Sequence, residues 1–392
     1  MKACQVCLAA KRFGCGPNGL PQVVSWIVFS NSKIKMPRIK HVLSLLIFLL
    51  AIAVLYLLLW PVPITPAAWI PPPAPTLSGP YEKNSKLAVI QRLSLGAGYA
   101  PEDVALDATG RIYAGFDDGR IIRLQADGTS PEVFANTQGR PLGLVFDHSG
   151  NLIVADAVKG LLSITPEAAV STLTTESEGI PFRCPNDLDI AADGTIYFTD
   201  ASSKFPLTNF KADILEHQPN GRLLSFDPGS RTTRTLLSDL YFANGVAVSP
   251  DQSFLLVVDT GAYRVWRVWL TGPRQGRPEV FIENLPGFPD GISSNGSDRF
   301  WLALVTPRDA VLDKLMPHPM LRKVIMRLPD FLQPAPKRYS FVLGLDANGK
   351  VVENLQDDSP QCYAEIANAV EHNGMLYFGS IGESTIGRFK LR

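Results

Sequence analysis

Charge of one sign is the first thing missing. Lys and Arg total 37 and Asp and Glu total 37 over 392 residues, so the formal net charge is zero. Such a balance offers no basic face for nucleic acid and makes a small molecule the better default partner. Cysteine is scarce as well: of the 5 present, Cys4, Cys7 and Cys15 crowd the N-terminus. Three thiols without a fourth ligand make a poor zinc site. Cys184 and Cys362 remain in the body, where an oxidising compartment would let them pair only if the fold brings them together. No Gly-x-Ser-x-Gly elbow occurs, which disfavours a serine hydrolase, and no glycine-rich run has P-loop spacing. The 46% hydrophobic content is that of a globular chain, enough for one large or two medium domains.

What is present begins with an uncharged apolar run, VLSLLIFLLAIAVLYLLLW, from Val42 to Trp60, about long enough to span hydrocarbon. Lys33, Lys35, Arg38 and Lys40 precede it, and the following PVPITPAAWIPPPAPTLSGP has no charge. The positive-inside rule therefore leaves the N-terminus cytoplasmic and the rest of the chain in a periplasm or lumen. A signal peptide shares the basic start and apolar core, but the run is long for one and no small-x-small site follows it. An uncleaved single-pass anchor over 36–60 is expected. Residues 1–35 read as an extension without structural role, since Met36 opens a compact anchor by itself. The Pro-rich run 61–80 reads as an extended stalk, and the globular body as 81–392.

In that body one pattern recurs: a small apolar strand, a turn with Gly or Asp, then a β-rich strand. PEDVALDATGRIYAGF, PLGLVFDHSGNLIVAD and PNDLDIAADGTIYFTD carry it clearly, beginning at Pro101, Pro141 and Pro185. ANGVAVSPDQSFLLVVD, PDGISSNGSDRFWLAL and IANAVEHNGMLYFGS are looser copies. Further short strands such as GRIIRL, GLLSI, GRLLSFD, YRVWRVWL and STIGRFKL follow the hairpins. No strong amphipathic helix separates the units. The expected fold is all-β, a six-bladed β-propeller of four-stranded blades.

Aligned on their turns, the units share a column: Glu102, Leu142, Asn186, Asn244, Asp290 and Ile366, with the fifth unit shifted by one residue. Four of these carry a side-chain oxygen. The first strand of each blade lines a propeller's channel, so one height in that strand converges on the axis. Two carboxylates and two amides at one point are badly unsatisfied unless a cation joins them. Oxygen-only, mixed neutral and anionic ligands suit Ca²⁺ better than zinc. The alternative is that each is an Asx residue bonding its own backbone at a strand start.

The stretches YFTDASSKF, ILEHQPNGRLLSFDP, ANGVAVSPD, FPDGI and VEHNGMLYFGS resemble the strictosidine synthase-like branch of the six-bladed propellers, which includes adipocyte plasma membrane-associated proteins. The wider superfamily contains calcium-dependent gluconolactonases, regucalcin and paraoxonases. The resemblance implies that Glu102, Asn244 and Asp290 ligate metal and that Asn186 binds metal or substrate. It also implies hydrolysis of a lactone or ester, with Asp290 taking a proton from water beside the cation. Asn186, Asp187 and Glu365 are the expected substrate contacts. Strictosidine synthase condenses an amine with an aldehyde through a channel glutamate, and the EHNG anchor places Ala367 there. Glu365 lies two residues away, on the same face of a regular strand, and is a weak substitute, so condensation is disfavoured.

The paraoxonase-like histidine pair is missing. His148 and His372 sit in turns, and His217 and His318 fall in insertions expected at the surface. The segment 308–339 interrupts the strands with a helical alternation of apolar and basic residues. It reads as a lid over the channel mouth, or else as a packed surface helix or a membrane-contacting one. Beside the hydrolase stands a second class, a membrane-tethered propeller that binds a ligand or protein without turnover.

Overall fold

The computed structural model describes residues 37–391. It divides into two compact units at Val54/Leu55. Helix α1, Pro37–Leu59, is continuous across that point. Its stretch Ile39–Leu59 is long and apolar enough to cross a membrane, a property that signal sequences share.

From Leu55 onward the chain is mostly β and forms a six-bladed propeller, each blade an antiparallel sheet of four strands. Blade 1 runs from Val104 to Asn136, blade 2 from Pro141 to Thr174 and blade 3 from Pro185 to Leu240. Blade 4 runs from Ala243 to Ile282 and blade 5 from Gly287 to Asp357. Blade 6 takes Ile366–His372, Met375–Ser380 and Thr385–Lys390 from the C-terminal end. Its outermost strand is Gln91–Ser94, which pairs antiparallel with Thr385–Lys390 and so closes the ring by joining the two ends of the body.

The turns that mark the repeat are built by aspartates. Asp107 Oδ1 accepts the N–H groups of Thr109 (2.9 Å) and Arg111 (3.0 Å), and Asp147 Oδ1 does the same for Ser149 (2.9 Å) and Asn151 (2.8 Å). The last turn residue, Gly110 or Gly150, takes φ 81°, which a side chain would disfavour. The interior between blades is apolar; Trp301, Phe198, Phe226, Phe300, Phe341 and Phe378 are among its largest fully buried side chains.

Three aspartates, Asp103 and Asp187 buried and Asp189 half-buried, staple inner strands across blade boundaries. Asp103 accepts Leu144 N–H (2.8 Å) of blade 2 and the Asn368 amide (2.6 Å) of blade 6, while Asp187 accepts Val246 N–H (3.0 Å) of blade 4. Asp189 accepts Val248 N–H at 2.8 Å. These bonds answer donors that the splayed inner strands would otherwise leave buried and unpaired.

The Pro-rich run is a strap rather than a free stalk. Ile64 is buried in the largest apolar cluster, with Val62, Trp69 and Leu77 packed against it. Ala67 N–H donates to Glu216 O (3.1 Å), Trp69 N–H to Met316 O (3.2 Å), and Arg308 reaches Pro72 O (2.7 Å). A run that cannot make ladder bonds still offers carbonyls, and buried arginines collect them. The body therefore starts well before residue 81.

Three short helices interrupt the strands: α2, Phe210–Glu216, within blade 3, and α3, Ala310–Leu315, and α4, Pro319–Met326, within blade 5. Cys184 and Cys362 are both buried and free, so they do not pair. Cys4, Cys7, Cys15 and the expected extension 1–35 lie outside the described residues.

Candidate active site

One end of the channel opens into a cavity of about 750 Å³. Glu102, Asn186, Asn244 and Asp290, from four different blades, all line it, together with Arg140 and Glu365. The inner strands begin where they do because the second strand of a blade ends in a buried aspartate that grips the segment ahead of the inner strand. Asp156 Oδ1 accepts Arg140 N–H (3.0 Å), Asp200 Oδ1 accepts Cys184 N–H (2.8 Å), and Asp259 Oδ1 accepts Tyr241 N–H (2.7 Å). Arg222 and Arg264 neutralise Asp200 and Asp259 at 2.6 and 2.9 Å. Each grip lies at or a few residues ahead of a cavity residue, Arg140, Asn186 or Asn244; Leu142, the column position of blade 2, is buried in an apolar cluster instead.

The electrostatics of the floor are unbalanced. Burial holds the Asp290 carboxyl well above the ordinary carboxylate range; the charge of Glu102 adds to this, and only the neighbouring Asn244 amide opposes it. Glu102 is also raised by burial, against the pull of Arg140, whose Nη2 lies 3.2 Å from its Oε2. Arg140 Nη1 is buried and has no partner. The floor thus holds two carboxylates that burial drives towards the proton, two amide oxygens, and a guanidinium with an unused donor.

That donor set fits a hard divalent cation. A cation would return both carboxylates to their ionised form, and amide oxygens are ordinary Ca²⁺ ligands. No cluster of three or more His, Cys, Asp or Glu suited to a metal occurs among the described residues; the four-oxygen set here includes two amides.

Several expected residues lie elsewhere. Asp187 does not line this cavity: next to Asn186 on the strand, it faces a second space of about 260 Å³ at the other end of the channel. There its oxygens are taken by Leu188 and Val246 N–H. Ile366 is buried in the core. The last hairpin turns through Asn373 and Gly374 after His372↔Met375, whereas blade 3 turns through five residues, 191–195, after Ile190. Counting back from the turn therefore slips by one, and Ala367 occupies the register of Asn186. Glu365 does line the cavity, but it precedes the strand with φ 53°, so it shares no regular strand face with Ala367. Burial raises its pKa.

His217 is not at the surface. It is buried, stacked between Trp69 at 4.2 Å and Tyr241 at 4.4 Å. His148 and His318 are exposed, and His372 borders the second space. Arg140 was not visible in the column because it precedes the strand. The Asp ending LIVAD, IYFTD and LLVVD was the available signal for how those segments are held.

The cavity walls are mostly apolar. Pro206, Leu207, Phe210 and Ile214 line it from the blade 3 excursion, and Leu312 and residues 333–337 from the blade 5 insertion. The insertion therefore forms part of the mouth.

A profile for strictosidine synthase matches residues 186–273, and one for the strictosidine synthase-like N-terminal region matches 79–124. Protein strictosidine synthase-like 6 of Arabidopsis thaliana is 38% identical over 306 residues, 76% of this chain and 81% of that one. The chain belongs to the strictosidine synthase-like family. This strictosidine synthase-like protein is also 33% identical to the adipocyte plasma membrane-associated protein of Rattus norvegicus over 352 residues, 84% of this chain and 93% of its relative. Its propeller is similar to that of a gluconolactonase from Xanthomonas campestris, at 18% identity and TM-score 0.57, covering 85% of this chain and 99% of the other. A calcium-binding regucalcin from Agrobacterium tumefaciens aligns at 15% identity and TM-score 0.55, covering 77% and 96%. At those identities the likeness establishes fold alone.

Proposed function

We propose that the protein is a calcium-dependent hydrolase of a lactone or ester, with Glu102, Asn186, Asn244 and Asp290 holding the cation. The observation that carries this reading is the convergence of those four oxygen-bearing side chains on one cavity floor, with burial driving both carboxylates up. The names of the gluconolactonase and calcium-binding regucalcin that share the fold agree with it.

When bound, calcium supplies a Lewis acid beside the scissile carbonyl and lowers the pKa of neighbouring water. Asp290, ionised when the cation is bound, takes the proton from the attacking water. Arg140, with one N–H pair on Glu102 and Nη1 free, donates to an oxygen of the substrate where negative charge develops. The apolar walls exclude bulk water and take the substrate's hydrocarbon portion; Asn186 and Glu365 touch its polar end.

Condensation of an amine with an aldehyde is not proposed, because the methyl of Ala367 moves no proton. α1 is proposed as a single-pass anchor with its N-terminus cytoplasmic and the propeller on the periplasmic or lumenal side. Metal content combined with a panel of small lactones and aryl esters tests the activity. Chelator-sensitive turnover is expected; stoichiometric ligand binding with no turnover on any panel member would establish the non-catalytic propeller instead.

A further inference from the structure

The blade 5 insertion buries Leu312 and Met316 in the core and packs Ile325 and Met326 against it, yet it also buries a guanidinium and leaves other bulky apolar side chains outside. On α4 the one fully buried side chain is Arg322, at 0% exposure, whereas Met320 and Leu321 stand 63% and 48% exposed. Arg322 turns inward to the carbonyls of Leu215 (2.9 Å), Glu216 (3.3 Å) and Ala67. Further along the insertion Phe331 is 84% exposed and Leu332 56%. Burying a guanidinium while leaving bulky apolar side chains outside is costly in water, and it is the arrangement found where the outside is not water.

The same insertion holds the end of α1. Arg327 donates through Nε to Trp60 O (2.5 Å) and through Nη1 to Leu57 O (2.8 Å), and its own carbonyl accepts Tyr56 O–H at 3.4 Å. The bond to Leu57 O satisfies one of the last carbonyls of α1, which has no partner further along the helix. Tyr56 and Trp60 are the aromatic types that sit at membrane–water boundaries. A span that ends at Leu59 places Trp60, and with it Arg327, at the level of the headgroups.

We propose that the 319–332 segment is a second membrane contact, with Met320, Leu321, Phe331 and Leu332 seated in the headgroup and upper acyl region of the bilayer. It rests on the anchoring reading of α1 and not on the hydrolase reading. Because residues 333–337 of the same insertion line the cavity, the contact puts the cavity mouth beside lipid.

The test uses the full chain reconstituted in phosphatidylcholine vesicles, with Cys4, Cys7 and Cys15 replaced by Ser so that single introduced thiols carry an environment-sensitive fluorophore. Labels go on Leu321→Cys and Phe331→Cys, on Ile47→Cys within the span, and on Ser230→Cys on an exposed turn of blade 3. Lipids brominated along the acyl chain serve as quenchers. The labels at 321 and 331 are expected to be blue-shifted and quenched severalfold more than that at 230. Labels at 321 and 331 that match 230 while the one at 47 is quenched would overturn the contact alone. An unquenched label at 47 would overturn the anchor, and the contact with it.

Discussion

Replacing His217 with Phe tests whether the strap is locked onto the body by a neutral imidazole. His217 caps α2 at φ 49° and stacks between Trp69 of the strap and Tyr241. Burial, with Arg322 and Arg264 nearby, drives its pKa down to about 3. In the unfolded chain it titrates near 6.5. A depressed folded-state pKa means that the fold favours the neutral ring; its contribution is whole above about pH 6.5 and drains as the pH falls towards 3. Each pH unit is worth about 1.4 kcal/mol, so at about pH 4.5 the loss is about 3 kcal/mol. Asp103 and Asp189, raised to about 7 and about 6, work the other way, because the fold holds their protons more tightly and gains stability as the pH falls. Only the difference between wild type and variant isolates the imidazole. Phe keeps the aromatic stack and cannot take a proton. Urea unfolding at about pH 7.5 and pH 4.5 should show wild type losing about 3 kcal/mol relative to His217→Phe over that interval. Parallel stability profiles for the two proteins would show that the imidazole does not titrate on unfolding in this range.

Ile64→Ala should destabilise the body by about 2–4 kcal/mol by opening a cavity under the strap, measured as a shift of the urea midpoint; an unchanged midpoint would return the run to a free stalk. Asp200→Ala leaves Arg222 buried without its partner and frees the segment before Asn186, so a loss of about 3–5 kcal/mol is expected in thermal or denaturant unfolding. Glu102→Gln should weaken calcium binding without removing the proton acceptor, so that excess calcium restores most of the turnover; an activity loss that calcium does not rescue would give Glu102 another role.

The propeller was legible because its blades repeat a turn that depends on particular residues: Asp107 and Asp147 with Gly110 and Gly150 mark the same corner in successive units. The floor was legible in part for the same reason, since Glu102, Asn186 and Asn244 keep one offset from that corner, Asp290 keeps it too once the blade 5 corner is placed at Asn295, and the structure brings the four to one cavity. The offset failed where the corner changed length, at Ile366. It was silent on Asp187, because neighbouring residues of an inner strand face opposite ends of the channel. Arg140 escaped because its position precedes the strand and depends on Asp156 from the same blade's second strand. The strap was misjudged because proline content predicts extension and does not name partners. Those partners, Arg308, Arg322 and Glu216, are distant in sequence, and His217 was placed at the surface for the same reason.

The proposed calcium site and the proposed role of Asp290 in hydrolysis meet in one measurement. Lactone turnover by wild type and by Asp290→Asn, matched for folded protein, should be followed across a calcium titration. The variant keeps an oxygen but loses charge and basicity. Turnover at saturating calcium is expected to fall on the order of 10²- to 10⁴-fold, and half-activation to require more calcium. Full turnover in Asp290→Asn with an unchanged calcium requirement would contradict the account.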